Sequence, residues 1–193
     1  IVCNAAKEEI IRRYYSALCD YRKGLISTDV VYKLELLLKQ VNVTAEERKV
    51  VAPALQIEKE TDAPAAAMEL SDGTIITGKN SNLLGASSAL LLNALKYFAG
   101  ISDDVLLMSP HVIEPIQNLK VQHLGNNNPR LHTDETLLAL SICANTDENA
   151  KLAMEQISKL RGCEAHSTVI LSAVDERIFK RLGVNLTCEP KYQ

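Results

Sequence analysis

From Asp72 to Gly100 the chain reads DGTIITGKNSNLLGASSALLLNALKYFAG, a turn, a short strand, a polar turn and a long apolar helix in unbroken succession. Asp72-Gly73 between two apolar runs is a hairpin signal, so strands are expected over 65–70 and 74–78. The Lys79-Asn80-Ser81 turn then opens a helix to about Ala99. Its middle, Ala86 to Ala94, is apolar on nearly every side, the pattern of a helix held between a sheet and another layer. A strand that turns into a buried helix fixes an α/β domain and marks a place where such a domain can build a ligand site.

Around this block the patterning is helical first and mixed later. Residues 4–23 place Ile10, Ile11, Tyr14, Leu18 and Tyr21 at helical spacing, with Gly24 as a stop. Ser27 is expected to cap a second helix with the stripe Val30, Val31, Leu34, Leu38 and Val41. Thr44 and Glu47 form a capping box for a third, which Pro53 should kink or restart. These helices make a helical subdomain over 1–60, and 61–193 follows as an α/β subdomain with a small mixed sheet. Further on, Ser109-Pro110 opens a helix to about Leu119 and 125–129 is a loop. Thr133 caps a helix through Ala144, and Thr146 or Asp147 caps one that runs to Gly162. Ser167 to Leu171 reads as a strand, Ser172 caps a helix to Leu182, and Val184 to Cys188 is a last strand. Strand, helix, strand predicts a parallel pair joined by a right-handed crossover.

Composition narrows the partners. A net charge of −3 with two Phe, six Tyr and no Trp supplies neither a basic surface for a phosphate backbone nor stacking platforms for bases, so no nucleic acid is expected. Five cysteines at 3, 19, 143, 163 and 188, an odd count without short paired spacing, fit a reducing, cytoplasmic setting. No apolar run approaches the roughly 20 residues of a membrane span. The chain opens on Ile1 and is read as a piece of a longer protein.

Two polar clusters are the candidate site. Lys79, Asn80 and Ser81 stand at the expected start of the long helix, where N–H groups and the helix dipole favour an anion; the plainer alternative is that Asn80 or Ser81 simply caps the helix. His166, Ser167 and Thr168 enter the penultimate strand and could form a second polar wall. His166 is the best catalytic candidate, yet strand neighbours point to opposite faces, so it cannot easily activate Ser167. Cys163, His166 and Cys188 barely supply three zinc ligands and have no nearby general-acid Glu, so no metal site is expected and the thiols are read as core. Asp175-Glu176 is read as a structural helix start.

The segments EEIIRRYYSAL, DGTIITGKNSNLLGASSALLLNALKY, LLALSICANT, GCEAHSTVILSAVDE and LGVNLTCEPKY together resemble the C-terminal part of a bacterial family known as domain of unknown function 1846. The resemblance spans essentially the whole chain; Glu189 stands where an Asp is expected. It implies a missing N-terminal part bearing a glycine-rich, phosphate-loop-like segment, and a three-layer α/β subdomain with layering similar to cytidine deaminases. Ser87, Ser88 and Ala89 stand where a deaminase needs metal ligands and Glu, which speaks against zinc-dependent deamination. Some members have been labelled ATP-dependent peptidases, but this chain has no His-Glu-x-x-His helix and no phosphate loop.

The reading that follows is an assembly and ligand-pocket domain. It needs no cofactor in this fragment, docks on its own N-terminal part, forms a homo-oligomer and lends Lys79, Asn80, Ser81, His166, Ser167 and Thr168 to half of a site for a small anionic or nucleotide-like metabolite. The alternatives are a transferase or hydrolase acting on a phosphorylated or nucleotide-like metabolite, and a deaminase-like scaffold without zinc or catalysis.

Overall fold

A computed structural model describes residues 3–193. Three helices come first, α1 (Asn4–Arg22), α2 (Thr28–Val41) and α3 (Val51–Thr61). The hairpin β1 (Ala65–Glu69) and β2 (Ile75–Lys79) leads into α4 (Ala86–Ala99), α5 (Pro110–Asn118), α6 (Thr133–Cys143) and α7 (Glu148–Met154). The chain closes with β3 (Glu164–Ser167), α8 (Ala173–Leu182) and β4 (Asn185–Cys188). The strands form one mixed sheet in the order β2-β1-β3-β4, antiparallel except for the parallel pair β3 and β4. The fold is mixed α/β, with helices on both faces of a small sheet.

Alternation along β1 assigns those faces. Ala66 and Met68 point into a cluster with Leu90, Leu91, Ala94 and Leu95 of α4, whereas Ala67 packs with Val50 and Ala54 of the α3 region. The seating of α4 is unusually close. A β-carbon on Gly78 would lie 2.7 Å from both Ala86 O and Leu90 Cα, so only glycine lets the helix backbone rest on β2. The buried stripe of α1 is Ile11, Tyr15 and Cys19, rotated from the expected one, and Tyr21 is exposed, because Tyr15 sets its ring 5.0 Å from that of His166 across the sheet face.

Arg48 bolts the helical segment to the sheet. It is 1% exposed and donates from Nη1 to Glu164 Oε2 at 2.6 Å, and from Nη2 to Ala165 O at 3.0 Å and Asn185 O at 2.7 Å. One guanidinium thus ties the connection before α3 to both β3 and β4.

Several boundaries differ from the sequence reading. The long helix begins at Ala86 rather than near Ser81, because the Asn80 side chain reaches forward to cap it and Leu84 bridges to Leu131. The expected strand 167–171 is displaced to 164–167: Ser167 Oγ donates to Val169 O and accepts from Val169 N, a local turn that competes with the ladder. Pro53 falls in the first turn of α3, where a missing N–H costs nothing. The N-cap of α6 is His132, not Thr133. The helix expected to reach Gly162 stops at Met154 and resumes as a short 3₁₀ turn over Ile157–Leu160.

Candidate functional site at three helix starts

The helices α4, α6 and α8 begin around one cavity of about 200 Å³, bordered by Asn80, Ser87, Arg130, His132, Ser172 and Asp175 among others. Each arrives there for a local reason. Asn80 Oδ1 accepts the Ala86 N–H at 2.7 Å, fixing the start of α4 at the end of β2. Gly85 N donates to Leu131 O and Ser88 Oγ donates to the same carbonyl, which holds the strand of chain before α6 against α4. Ser172 Oγ accepts from Asp175 N at 3.1 Å and caps α8.

Asp175 is the centre of the polar network. Its Oδ1 accepts from Thr133 N at 2.9 Å and Thr133 Oγ1 at 2.8 Å. Its Oδ2 accepts from Ser172 Oγ at 2.8 Å and lies 3.0 Å from His132 Nδ1. Burial works to raise the Asp175 carboxyl, but these bonds outweigh it and hold it below the usual range. An ionised Asp175 makes His132 Nδ1 the donor. The bond to Asp175 raises the His132 pKa, against the opposing effect of burial, and His132 Nε2 has no partner among the described residues.

The start of α4 supplies donors. Ser87 and Ser88 are its second and third residues, and their N–H groups have no acceptor among the described residues. Ser87 is 4% exposed. Its hydroxyl makes no hydrogen bond, yet it is not sealed away, since the buried side-chain atoms without a partner are Arg48 Nε and Thr136 Oγ1. Arg130 also lines the cavity, with Nε donating to Ser81 O at 2.6 Å.

Of the six ligand-binding candidates chosen from sequence, Lys79, Asn80, Ser81, His166, Ser167 and Thr168, Asn80 alone borders this cavity, whereas Asp175, read there as a structural helix start, is part of it. Lys79 is exposed at the end of β2, and Ser81 Oγ accepts from Leu83 N and Leu84 N. His166 lies on the sheet face covered by α1, fully buried, with Nδ1 2.8 Å from Thr187 Oγ1 and Nε2 3.1 Å from Glu189 Oε1. Burial lowers its pKa despite Glu189. Thr168 Oγ1 accepts from Ala65 N at 3.0 Å. The two chain segments do meet, but through Asn80 on one side and Val169 to Ser172 on the other, and not through a shared pocket of Lys79 and His166. Among the described residues no three His, Cys, Asp or Glu side chains converge to hold a metal ion.

A larger groove of about 480 Å³ runs between α1 and β4. Its Lys23 is engaged by Glu176 at 3.0 Å, and burial pushes the thiols of Cys19 and Cys188 up to about 12. Paired charge and protonated thiols leave it little chemistry.

Residues 46–193 match the model of a family described as domain of unknown function DUF1846, C-terminal. The chain belongs to this family. Similar DUF1846 relatives are UPF0371 proteins: one of Corynebacterium urealyticum is 54% identical over 97% of this chain and 38% of its own length. One of Streptococcus pneumoniae is 47% identical over 98% of this chain and 38% of its own, and one of Clostridium tetani is 42% identical over 100% and 40%. The chain therefore spans about two-fifths of the length of these curated relatives. Among the described residues no helix is long and apolar enough to cross a membrane.

Proposed function

We propose that this DUF1846 domain supplies half of a binding site for a small anionic or nucleotide-like ligand, seated where α4, α6 and α8 begin and completed by the rest of the full-length protein. The observation that carries it is the start of α4: Ser87, with a free N–H and an unengaged hydroxyl, borders a cavity that Arg130 and His132 also border, and the next N–H, of Ser88, is free as well. Helix starts favour negative groups, and the side chains added here are cationic or neutral donors. Asp175 does not oppose this, because four donors already answer its carboxylate.

The cavity is small for a whole nucleotide and suits its charged end, which agrees with a site shared with the remaining three-fifths of the protein. Lys79 and Ser81, both exposed, flank Asn80, the residue that borders the cavity, and are assigned to its outer part in this reading. In this reading His166, Ser167 and Thr168 act only by ordering the chain that leads to Ser172, through bonds to Thr187, Val169 and Ala65. The resemblance to cytidine-deaminase layering enters as a scaffold without zinc chemistry, since α4 presents Ser87, Ser88 and Ala89. Homo-oligomerisation remains part of the proposal, motivated by the exposed apolar positions Val30, Leu36 and Leu37 of α2.

Titrating the full-length protein with inorganic phosphate, followed by amide NMR, tests the reading. Saturable shifts confined to Ser87, Ser88 and the Arg130–His132 segment are expected, and a Ser87→Asp variant should abolish them. Shifts spread over surface lysines, with none at α4, would refute it.

A further inference from the structure

Ser87 is the one serine near this cavity whose hydroxyl is not spent on its own fold. Ser88 Oγ donates to Leu131 O, Ser81 caps Leu83 and Leu84, Ser172 caps α8 and Ser167 closes a turn on Val169. Ser87, 4% exposed and second in a 14-residue helix, has a hydroxyl with no partner among the described residues, while the side-chain cap of α4 comes from Asn80. Ser87 lines the cavity and its own N–H is free, with that of Ser88 next along the helix, so an anion seated on the start of α4 lies beside a nucleophilic oxygen.

The same cavity holds an oriented base. His132 is fixed through Nδ1 by Asp175, and Asp175 is itself fixed by Thr133 and Ser172. This is the arrangement that keeps an imidazole in one tautomer with Nε2 free to take and return a proton. Ser87 and His132 do not touch directly; both border a space of about 200 Å³, room for a phosphoryl group on Ser87 and for a water that joins its Oγ to His132 Nε2.

We propose that Ser87 is a phosphoryl acceptor acting on phosphate monoesters bound at the start of α4, an inference that rests on the anion-site reading above. Ser87 Oγ attacks phosphorus while its proton passes through one water to His132 Nε2. The bond from phosphorus to the ester oxygen breaks on the side away from Ser87, solvent protonates the leaving oxygen, and His132 gives its proton up to solvent. An alcohol leaves and phosphoserine remains, which water then hydrolyses to inorganic phosphate. The N–H groups of Ser87 and Ser88 and the Arg130 guanidinium hold the non-bridging oxygens, on which charge rests throughout. Asp175 is a positioning residue: it acts through His132.

The test is full-length protein with p-nitrophenyl phosphate. Release of p-nitrophenolate and phosphoserine at residue 87, located by tandem mass spectrometry, is expected. His132→Gln should slow adduct formation by about a hundredfold, and Asp175→Asn should displace its pH profile. Wild-type protein carries the main readout, so the outcome does not depend on whether Ser87→Ala folds. No adduct, with phosphate still shifting the Ser87 and Ser88 amides, overturns the transfer step and leaves the anion site standing. No adduct and no shift overturns both. Equal adduct in His132→Gln removes His132 from the mechanism.

Discussion

The Asp175 carboxylate accepts the backbone N–H of Thr133 at 2.9 Å, so a side chain from the first turn of α8 caps α6 from a position 42 residues further along the chain. The same carboxylate holds His132 at 3.0 Å. One buried acid therefore does two jobs, closing a helix end and orienting an imidazole, and the two can be separated experimentally.

Asp175→Asn keeps an oxygen for Thr133 but presents an amide where His132 needs an acceptor. We expect a loss of about 2 kcal/mol in denaturant unfolding, the size of hydrogen bonds to a charged group. Nitrogen NMR should show the His132 proton moving from Nδ1 to Nε2. An unchanged tautomer would mean that Asp175 does not orient the ring.

His132 and His166 should give stability profiles of opposite sign. The His132 pKa is raised above 6.5 in the fold, so its contribution is full below that value and is lost as pH rises through the raised folded one. The His166 pKa is lowered from 6.5, so the unfolded ring takes a proton that the folded ring refuses, and stability is lost as pH falls below that value. Melting of His132→Gln against wild type should show a penalty largest near about pH 5 and shrinking toward about pH 8, with His166→Gln showing the reverse. Parallel profiles would contradict both assignments.

Arg48→Ala leaves Glu164 without its 2.6 Å partner and frees the carbonyls of Ala165 and Asn185. Arg12 at 3.2 Å still answers Glu164, so the cost is that of the lost charged hydrogen bond and the stranded carbonyls, about 2 kcal/mol. Chemical denaturation should show that loss. Arg48→Met, which fills the space without the charge, should recover little of it while Glu164 stays, and more in combination with Glu164→Gln.

Gly78→Ala should be among the costliest single-methyl additions in the chain, because the new carbon meets the backbone of α4 at Ala86 and Leu90 rather than a side chain that can move. A loss of about 3 kcal/mol is expected from thermal unfolding. Near-neutral behaviour would show that α4 can lift off the sheet.

Much of the architecture was legible because local signals agreed with the final fold. Asp72-Gly73 made its hairpin, Asp147 and Ser172 capped their helices, and β3 and β4 paired in parallel around α8. The site was less so. Asn80 was visible as a cap, but its acceptor role for Ala86 across five intervening residues depends on a loop pinned to Leu131. His132, Asp175 and Ser87 belong to segments far apart in sequence, and each reads alone as an ordinary helix start. The signal that could have joined them is the repetition itself: three helices preceded by polar side chains, with one Asp beyond what capping Ser172 requires. His166 attracted notice as a histidine at a strand, where Thr187, Glu189 and Tyr15 in fact engage it fully.

In the reading proposed above, the pull that the start of α4 exerts on a negative group comes from peptide units as well as from Arg130. Side-chain substitution leaves main-chain N–H groups in place, so under that reading a change at the rim is expected to alter selectivity before it abolishes anion binding.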